Sequence, residues 1–262
     1  MIEWIDSHCH LNYDYSPKSI ELLLEEAKAI GVTTLVTVAT DLSMLDSMVR
    51  ISETYPQVFH SVGVHPHEAI TLLPGDLDKI RAASAHPKCR AVGELGLDYH
   101  YDHSPRDVQI TQLNAQLEVA LDVSLPVIIH SREADDDLLI ALTAYAKRVP
   151  TSRSPGVIHC FSGTDAFGRA CLEMGFYISF SGIITFKTAD TLRQCAQAFP
   201  IDRILVETDS PYLAPAPFRG KKCEPSMVAL TGKKLAEIKG LSIEEVARIT
   251  TQNSRRLFNL PL

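Results

Sequence analysis

The stretch Pro-Val-Ile-Ile-His-Ser-Arg at residues 126–132 joins an unbroken apolar run to a histidine. A strand with one solvent-exposed face alternates apolar and polar residues, whereas a parallel strand covered on both faces is apolar throughout. The run Leu-Val at residues 205–206 has the same unbroken character. These runs predict buried parallel strands, and the polar residues that follow them fall where such strands end.

Eight short β-rich runs alternate with helical stretches along the chain. The predicted strands cover residues 2–5, 34–38, 58–64, 91–94, 127–130, 157–161, 176–180 and 204–207. The predicted helices cover residues 20–30, 42–54, 77–85, 108–123, 135–147, 166–174 and 189–198, with two more near 227–239 and 243–257. This alternation predicts a parallel α/β sheet. Since a (β/α)8 barrel typically needs about 250 residues, we predict a single TIM-barrel domain over residues 1–262, with additional C-terminal helices.

Six potential metal ligands lie at the ends of these apolar runs. They are His8, His10, Glu94, His130, His159 and Asp209. In a parallel barrel, all strand ends of one sense lie on one face, so ligands distant in sequence converge there. Neutral imidazoles and carboxylates are ligands of zinc, manganese or iron. We therefore predict a site for two divalent metal ions, with magnesium, manganese and zinc as the candidates.

The spacing of these residues suggests a role for each. His8 and His10 are two residues apart, so in a strand both face the same side. Two-metal sites keep their ions about 3.5–4 Å apart, and a carboxylate can bridge them, so Glu94 is the predicted catalytic bridge. Asp209 is predicted to bind metal and to orient or deprotonate a water molecule. Glu207 shares its face and is predicted to contact a ligand; helix capping or a buried salt bridge is the alternative for both acids.

Other polar residues near the strand ends are candidates for substrate contacts. His65 ends the third predicted strand and faces the same mouth, where it can bind substrate oxygens. Arg132 can bind a phosphate or carboxylate through two hydrogen bonds, although a salt bridge at a helix start remains open. Four further histidines are interpreted as surface or packing residues: His60, His86, His100 and His103.

The composition is that of an ordinary globular protein. The hydrophobic fraction is 45% and the charged fraction is 22%, as in soluble domains. No apolar run approaches the roughly 18 residues of a membrane span, and the start lacks the regions of a secretory signal. We expect a cytoplasmic monomer with no membrane contact and no obligate protein partner. The net charge of −7 argues against a large basic surface for nucleic acid, so any such contact should be local.

The cysteines predict neither a zinc knuckle nor a redox motif. All six are scattered and none forms a Cys-x-x-Cys pair. Reduced thiols are the default without a secretory signal. Cys9 and Cys160 each adjoin a candidate histidine ligand. Because neighbouring strand residues face opposite sides, we expect both thiols to point away from the metal and towards the helices.

With these residues assembled, the chain resembles the TatD family of metal-dependent deoxyribonucleases, in the amidohydrolase-like barrel superfamily. The matching segments are Asp-Ser-His-Cys-His-Leu at 6–11, Gly-Val-His-Pro at 63–66, Gly-Glu-Leu-Gly-Leu-Asp-Tyr at 93–99, Pro-Val-Ile-Ile-His-Ser-Arg at 126–132, His-Cys-Phe-Ser-Gly at 159–163, Gly-Phe-Tyr-Ile-Ser-Phe-Ser-Gly at 175–182 and Glu-Thr-Asp-Ser-Pro-Tyr-Leu-Ala-Pro at 207–215. They follow the family's order over nearly the whole length. The resemblance implies a barrel with a divalent metal centre at the six ligands above, and activity that magnesium can support.

Two positions depart from the family pattern. Asn12 stands where the family commonly has Asp, and Cys223 stands where it commonly has Asn in the late loop. Neither position is a candidate ligand. The second departure bears on loop conformation or substrate preference rather than on hydrolysis.

The ligand set and the resemblance together suggest hydrolysis of phosphodiester bonds in DNA. Without a large basic patch, short or single-stranded ends are the expected substrate and exonucleolytic cleavage is the expected mode. The alternative enzyme is an amidohydrolase or lactonase acting on a cyclic amide or ester. Many such relatives bridge their ions with a carboxylated lysine on the fourth strand, and residues 91–97 contain no lysine. The third hypothesis is a non-catalytic metal-binding protein. Mixed His and carboxylate ligands leave coordination positions open, which disfavours this hypothesis.

Overall fold

Eight parallel strands form the centre of the protein, whose structure is a computed structural model that describes residues 2–261. The strands are β1 (Trp4–Cys9), β2 (Val32–Thr37), β3 (Val58–Val62), β4 (Cys89–Asp98), β5 (Val127–Arg132), β6 (Gly156–Ile158), β7 (Tyr177–Phe180) and β8 (Ile204–Val206). Each pairs in parallel with the next one along the chain. The predicted TIM-barrel fold is therefore confirmed.

Helices follow the strands and cover the outside of the barrel. They are α1 (Ile20–Ala29), α2 (Leu45–Thr54), α3 (Asp76–Ser84), α4 (Arg106–Val123), α5 (Asp135–Ala146), α6 (Asp165–Glu173), α7 (Asp190–Ala198), α8 (Val228–Lys239) and α9 (Ile243–Phe258). The last two are the predicted additional C-terminal helices. None of the helices in the described part of the chain has both the length and the apolarity to cross a membrane.

The helix ends follow the local sequence. The Ser19 side chain accepts a hydrogen bond from the amide of Leu22 and so caps α1. Gly31, with φ of +96°, follows the end of this helix in the left-handed region that only glycine enters at little cost. At α9, the Ser242 side chain accepts a hydrogen bond from the amide of Glu245 and caps the helix.

The apolar core has two layers. One layer fills the space between barrel and helices. The other fills the barrel interior, to which every strand contributes at least one residue: Ile5, Val36, Phe59, Ala91, Ile128, Val157, Tyr177 and Leu205. Leu257, Phe258 and Leu260, at and beyond the end of α9, belong to the same cluster. Because most of these residues lie in the first half of their strands, the opposite, C-terminal ends remain free to carry polar groups.

The barrel closes between β8 and β1 through the loop that follows β8. An isolated parallel bridge joins Cys9 to Ser210. The amide of Asp209 donates a hydrogen bond of 2.9 Å to the carbonyl oxygen of His8. The seam therefore runs directly beside two of the candidate ligands.

All eight strands differ from the sequence prediction at one or both boundaries. Strand β1 continues to Cys9, four residues beyond its predicted end. Strand β4 continues four residues beyond Glu94 to Asp98, because pairing with β5 resumes at Leu95 after a register shift. Strand β6 is shorter than predicted and ends at Ile158, before His159. Cys160 has φ of 43°, which is the left-handed region and ends the extended conformation.

The imidazole of His60 is buried on β3 against α2, with 1% of its surface exposed. Burial, together with nearby His86 and Lys88, lowers the pKa of His60 to about 4. The ordinary value is about 6.5, so between these pH values the unfolded chain binds a proton that the folded protein does not. The free energy of unfolding should therefore fall by about 3 kcal/mol from this residue as the pH drops from about 6.5 to 4.

We expect a His60→Leu variant to lose this acid-sensitive contribution. Urea unfolding near neutral pH and near pH 4 measures this contribution to the free energy of unfolding. A chelator is present so that metal release plays no part. His100→Gln, which changes an exposed imidazole, is the matched control. An equal acid-induced loss in the His60→Leu and wild-type proteins would contradict the prediction.

Candidate metal centre

A cleft of about 710 Å³ opens at the C-terminal ends of the strands. Its walls are the loops that follow the strands, including Tyr212 and Leu213 of the proline-rich loop after β8. Five of the six predicted ligands line it, and His8 lies directly behind them, in contact with His10. The fold therefore brings together all six residues that the sequence singled out.

The first group of ligand atoms comes from β1 and from the loop after β8. The Nε2 atoms of His8 and His10 lie 3.3 Å apart. Oδ1 of Asp209 lies 3.5 Å from the first of these nitrogens and 3.3 Å from the second. We call His8, His10 and Asp209 the first donor set.

The second group comes from β4, β5 and the end of β6. Oε1 of Glu94 lies 2.9 Å from Nδ1 of His130 and 2.7 Å from Nε2 of His159. The two imidazole nitrogens are 3.4 Å apart. We call Glu94, His130 and His159 the second donor set.

The carboxylate of Glu94 faces both donor sets. While Oε1 lies in the second set, Oε2 lies 3.4 Å from Nε2 of His8 in the first. The side chain is buried, with 2% of the residue exposed. This is the arrangement that a carboxylate bridging two cations requires.

Three of the imidazoles are oriented by contacts at their outer nitrogens. Nδ1 of His10 lies 3.0 Å from the carbonyl oxygen of Val38. Nε2 of His130 lies 3.0 Å from Oδ2 of Asp98. Nδ1 of His159 lies 3.3 Å from Oε1 of Glu207. A proton on each outer nitrogen leaves a lone pair on the inner one, as in metal-binding histidines.

The electrostatics favour ionised acids at the centre. Burial opposes ionisation of Glu94, but His159, His65 and His130 hold its pKa well below the usual range. Burial also opposes ionisation of Asp209, and His10 and His8 lower its pKa. The carboxylates therefore carry the negative charge that a cation site needs.

The donor atoms fit divalent ions. The Nε2 atoms of His8 and His10 approach each other closely, and burial lowers the pKa of His8, with His159 adding to the effect. Mutually facing lone pairs repel unless a proton or a cation lies between them. Each donor set offers two nitrogens and a carboxylate oxygen within 3.5 Å of one another. This mixture suits zinc or manganese better than magnesium, which prefers oxygen ligands.

Glu207 contacts the centre through two neighbouring residues. Its Oε1 accepts a hydrogen bond of 2.7 Å from the amide of Cys160 and also lies next to His159. It does not belong to either donor set. This position is the one expected of an acid that orients a ligand.

The loop that carries Glu207 and Asp209 is fixed to β1 by a buried acid. Oδ1 of Asp6 accepts the amide hydrogen of Thr208 at 2.9 Å, and its Oδ2 accepts the hydroxyl of the same residue at 2.6 Å. Burial raises the pKa of Asp6 to about 8, despite these hydrogen bonds. Since Thr208 lies between the two acids, its anchoring positions both.

The two cysteines beside the histidine ligands behave differently. Cys9 points away from the cleft as predicted, into the layer between barrel and helices. The prediction is wrong for Cys160, which lines the cleft with its Sγ 3.2 Å from Oγ of Ser181. Alternation along a strand does not apply to Cys160, because β6 ends before it and its backbone is left-handed.

The two predicted substrate contacts occupy different parts of the cleft. Nε2 of His65 lies 3.3 Å from Oε1 of Glu94, so His65 is also a third possible nitrogen for the second donor set. Burial lowers the pKa of His65 to about 4. Arg132 is exposed at the rim, where its guanidinium lies 4.9 Å from the centre of the Tyr101 ring.

Sequence reasoning missed Asp98 and His67. Oδ2 of Asp98 lies 2.9 Å from Nε2 of His67 and 3.0 Å from Nε2 of His130. Burial opposes its charge, but His130 and His67 hold the pKa of Asp98 far below the usual range. Asp98 is four residues from Glu94, and such a spacing places two residues on one face only if the strand continues. The predicted strand ended at residue 94, so the spacing gave no usable signal.

The remaining histidines and the two departures from the family pattern lie outside both donor sets. His60 packs against Ser52, and the other three contact surface groups: His86 faces Glu53, His100 faces Glu133 and His103 stacks on Tyr101. Asn12 contacts Met44. The thiol of Cys223 is fully buried beneath the loop after β8, and its amide donates to Pro211.

Comparison with known proteins gives matches over the whole barrel. The family model for TatD related DNase matches residues 5–259. The uncharacterized metal-dependent hydrolase YabD of Bacillus subtilis (strain 168) is 40% identical over 255 residues, covering 97% of this chain and 98% of YabD. The uncharacterized metal-dependent hydrolase YcfH of Escherichia coli (strain K12) is 38% identical over 259 residues, covering 98% and 96%. The crystal structure of YJJV, a TatD homolog from Escherichia coli, gives a TM-score of 0.93 at 29% identity, over 99% of both chains.

These matches include every member of both donor sets, because residues 8 to 209 lie inside the range of the family model. The relatives are named as metal-dependent hydrolases, and the six side chains assembled at the cleft are suitable metal donors. We conclude that the chain belongs to the family of TatD related DNases and is a metal-dependent hydrolase.

Proposed function

We propose that this protein uses two divalent ions to hydrolyse phosphodiester bonds in DNA, from single-stranded or short ends. The observation that carries the proposal is the position of Glu94, whose two carboxylate oxygens face different donor sets at the floor of an open cleft. Paired cations of this kind are common in enzymes that act on phosphate esters. The family description supports DNA as the substrate.

Residues in and around the donor sets have separate roles in the proposed reaction. Divalent ions held by the two sets supply Lewis acidity and lower the pKa of a water molecule. Asp209, with Oδ1 directed at the first set, orients the attacking water and accepts its proton. Arg132 and His65 hold the phosphate oxygens from the open side of the cleft. Asp98 and Glu207 keep His130 and His159 in the orientation that the reaction needs.

Tyrosines at the mouth of the cleft support a nucleic-acid substrate. Tyr13, Tyr101 and Tyr212 line the cleft, and the latter two are 51% and 53% exposed. Exposed aromatic rings stack with unpaired bases of any sequence, worth about 1–3 kcal/mol for each base. A cyclic amide or lactone has no such group to offer. The rings therefore favour single-stranded DNA over the alternative substrates.

The chain also supports a cytoplasmic monomer as its working form. All members of both donor sets come from one chain, so no partner subunit is required to complete the centre. The six cysteines are free thiols, which suits a reducing compartment.

Metal restoration with a panel of substrates tests the proposed function. The chelated protein receives magnesium, manganese or zinc separately, together with end-labelled single-stranded oligonucleotides, a dihydroorotate-like amide and a lactone. We expect metal-dependent release of nucleotides from an oligonucleotide end. Release of only internal fragments would overturn the exonuclease mode. Hydrolysis of the amide or lactone alone would overturn the DNA substrate, and metal uptake without any hydrolysis would overturn the enzymatic role.

A further inference from the structure

A smaller cleft of about 220 Å³ adjoins the metal cleft. Ser162 and Ile183 line both, so the two clefts are neighbours. The smaller cleft lies between the loop after β6 and the start of α7, and Phe186 and Thr188 form part of its wall. It is therefore the adjoining surface that a chain-like substrate in the metal cleft would reach in this direction.

Two cationic residues adjoin residues that line the smaller cleft. The guanidinium of Arg219 stacks on the Phe186 ring, 4.1 Å from its centre. Lys187 is next to Phe186 in the chain, and both cationic residues are exposed. The nearby acid Asp190 is already paired with Arg193. Lys187 and Arg219 thus keep uncompensated positive charge.

The loop that carries Arg219 is held in place before any ligand arrives. The amide of Ala216 donates a hydrogen bond of 2.8 Å to Oγ1 of Thr185, which joins the loop after β8 to the loop after β7. Tyr212, an exposed ring of the same loop, lines the metal cleft. A fixed cation reduces the entropy lost when a phosphate binds.

The loops after β3 and β5 carry charges of both signs at the metal cleft. Glu68, Arg132 and Glu133 line the cleft there, and Glu133 faces His100. Among the described residues, those that line the smaller cleft include no acid. A polyanion is attracted to a cationic margin of this kind, which is a local feature in a protein with a net charge of −7.

We propose that the smaller cleft, with Lys187 and Arg219 at its margin, is a subsite for the phosphate backbone of the single strand next to the scissile bond. This inference rests on the proposed DNA substrate and adds a direction and a length requirement to it. The strand leaves the metal centre past Tyr212 and contacts the two cations with phosphates that are not cleaved. Substrates too short to reach the subsite gain nothing from it.

A charge-matched pair of double variants tests the subsite. Lys187→Gln with Arg219→Gln removes its cations, whereas Lys28→Gln with Lys147→Gln removes two exposed cations at or just beyond the C-terminal ends of α1 and α5, on the opposite face of the barrel. The measurements are KM and kcat for an octathymidylate and for bis-p-nitrophenyl phosphate, and the anisotropy of a labelled octathymidylate at several salt concentrations.

For the subsite variant we expect KM for the octanucleotide to rise about tenfold at low salt, with kcat and the hydrolysis of the small ester unchanged. The slope of log affinity against log salt should fall by about 1.4, which is about 0.7 for each lost contact with a single strand. The control variant should match the wild-type protein in all of these.

Equal octanucleotide affinity in the two double variants would overturn the subsite, and so would an equal loss on the small ester. If the wild-type protein hydrolyses no oligonucleotide, the proposed function fails, and the anisotropy measurement still decides the subsite. Hydrolysis by the wild-type protein without any effect of the subsite variant overturns the subsite alone.

Discussion

Glu94→Gln is expected to abolish turnover and to remove tight binding of the two metal ions. Glutamine keeps the size of the side chain but loses the negative charge that faces both donor sets. Its amide NH2 group also directs hydrogens towards the histidine nitrogens of a donor set. Metal ions contribute several kcal/mol to stabilising the transition state, so we expect a loss on the order of 10³-fold in kcat.

The decisive measurement for Glu94→Gln is metal stoichiometry by calorimetry beside turnover at saturating manganese. Glu68→Gln is the control, because Glu68 is an exposed acid that lines the cleft and belongs to neither donor set. We expect the control to keep both metal stoichiometry and kcat. A Glu94→Gln protein that binds two ions tightly and turns over normally would remove the bridging role.

Asp209→Asn is expected to lower kcat while the second donor set keeps its metal ion. The asparagine amide retains an oxygen near His8 and His10 but is a weak ligand and cannot accept a proton. The second donor set contains no atom of Asp209 and should keep its ion. General-base catalysis is worth about 10²–10⁴-fold, so kcat should fall by about that factor while one ion remains bound.

Glu207→Gln is the comparison for Asp209→Asn. Glu207 is an acid two residues away that contacts His159 but belongs to neither donor set. Partners of metal ligands typically contribute about 10–100-fold to metal affinity or activity, and added metal should restore part of this loss. Near-normal nuclease activity of Asp209→Asn or Asp209→Ala with added metal would refute the role of Asp209.

Much of the fold was predictable because several strands begin as short apolar runs that are buried on both faces. The runs that begin at Val127 and Ile204 mark their strands directly. The positions of the six ligands followed from one rule of barrel geometry, namely that parallel strands present their C-terminal ends on one face. Sequence reasoning therefore found the members of both donor sets without knowing any distance.

The errors came from local backbone features that apolar patterns do not encode. The register shift in β4 places Glu94 inside the strand, so Asp98 lies on the cleft wall rather than in a loop. The left-handed backbone at Cys160 turns a thiol towards the cleft that alternation would have turned away. Both features depend on pairing between distant segments, which a single segment does not reveal.

The smaller cleft was equally absent from the sequence reading. It depends on the packing of Phe186 against Arg219, which are 33 positions apart in the chain but in contact in the structure. Its cations, Lys187 and Arg219, come from the loops after β7 and β8. The sequence does not show that these two loops lie next to each other.

The seam between β8 and β1 has a consequence for protein synthesis. His8 and His10 leave the ribosome among the first residues, whereas Asp209 and its anchor Thr208 emerge only after about four-fifths of the polypeptide has been made. A nascent chain therefore cannot complete the first donor set until nearly all of the barrel has been translated. Translation products that end before Asp209 therefore lack one member of the first donor set.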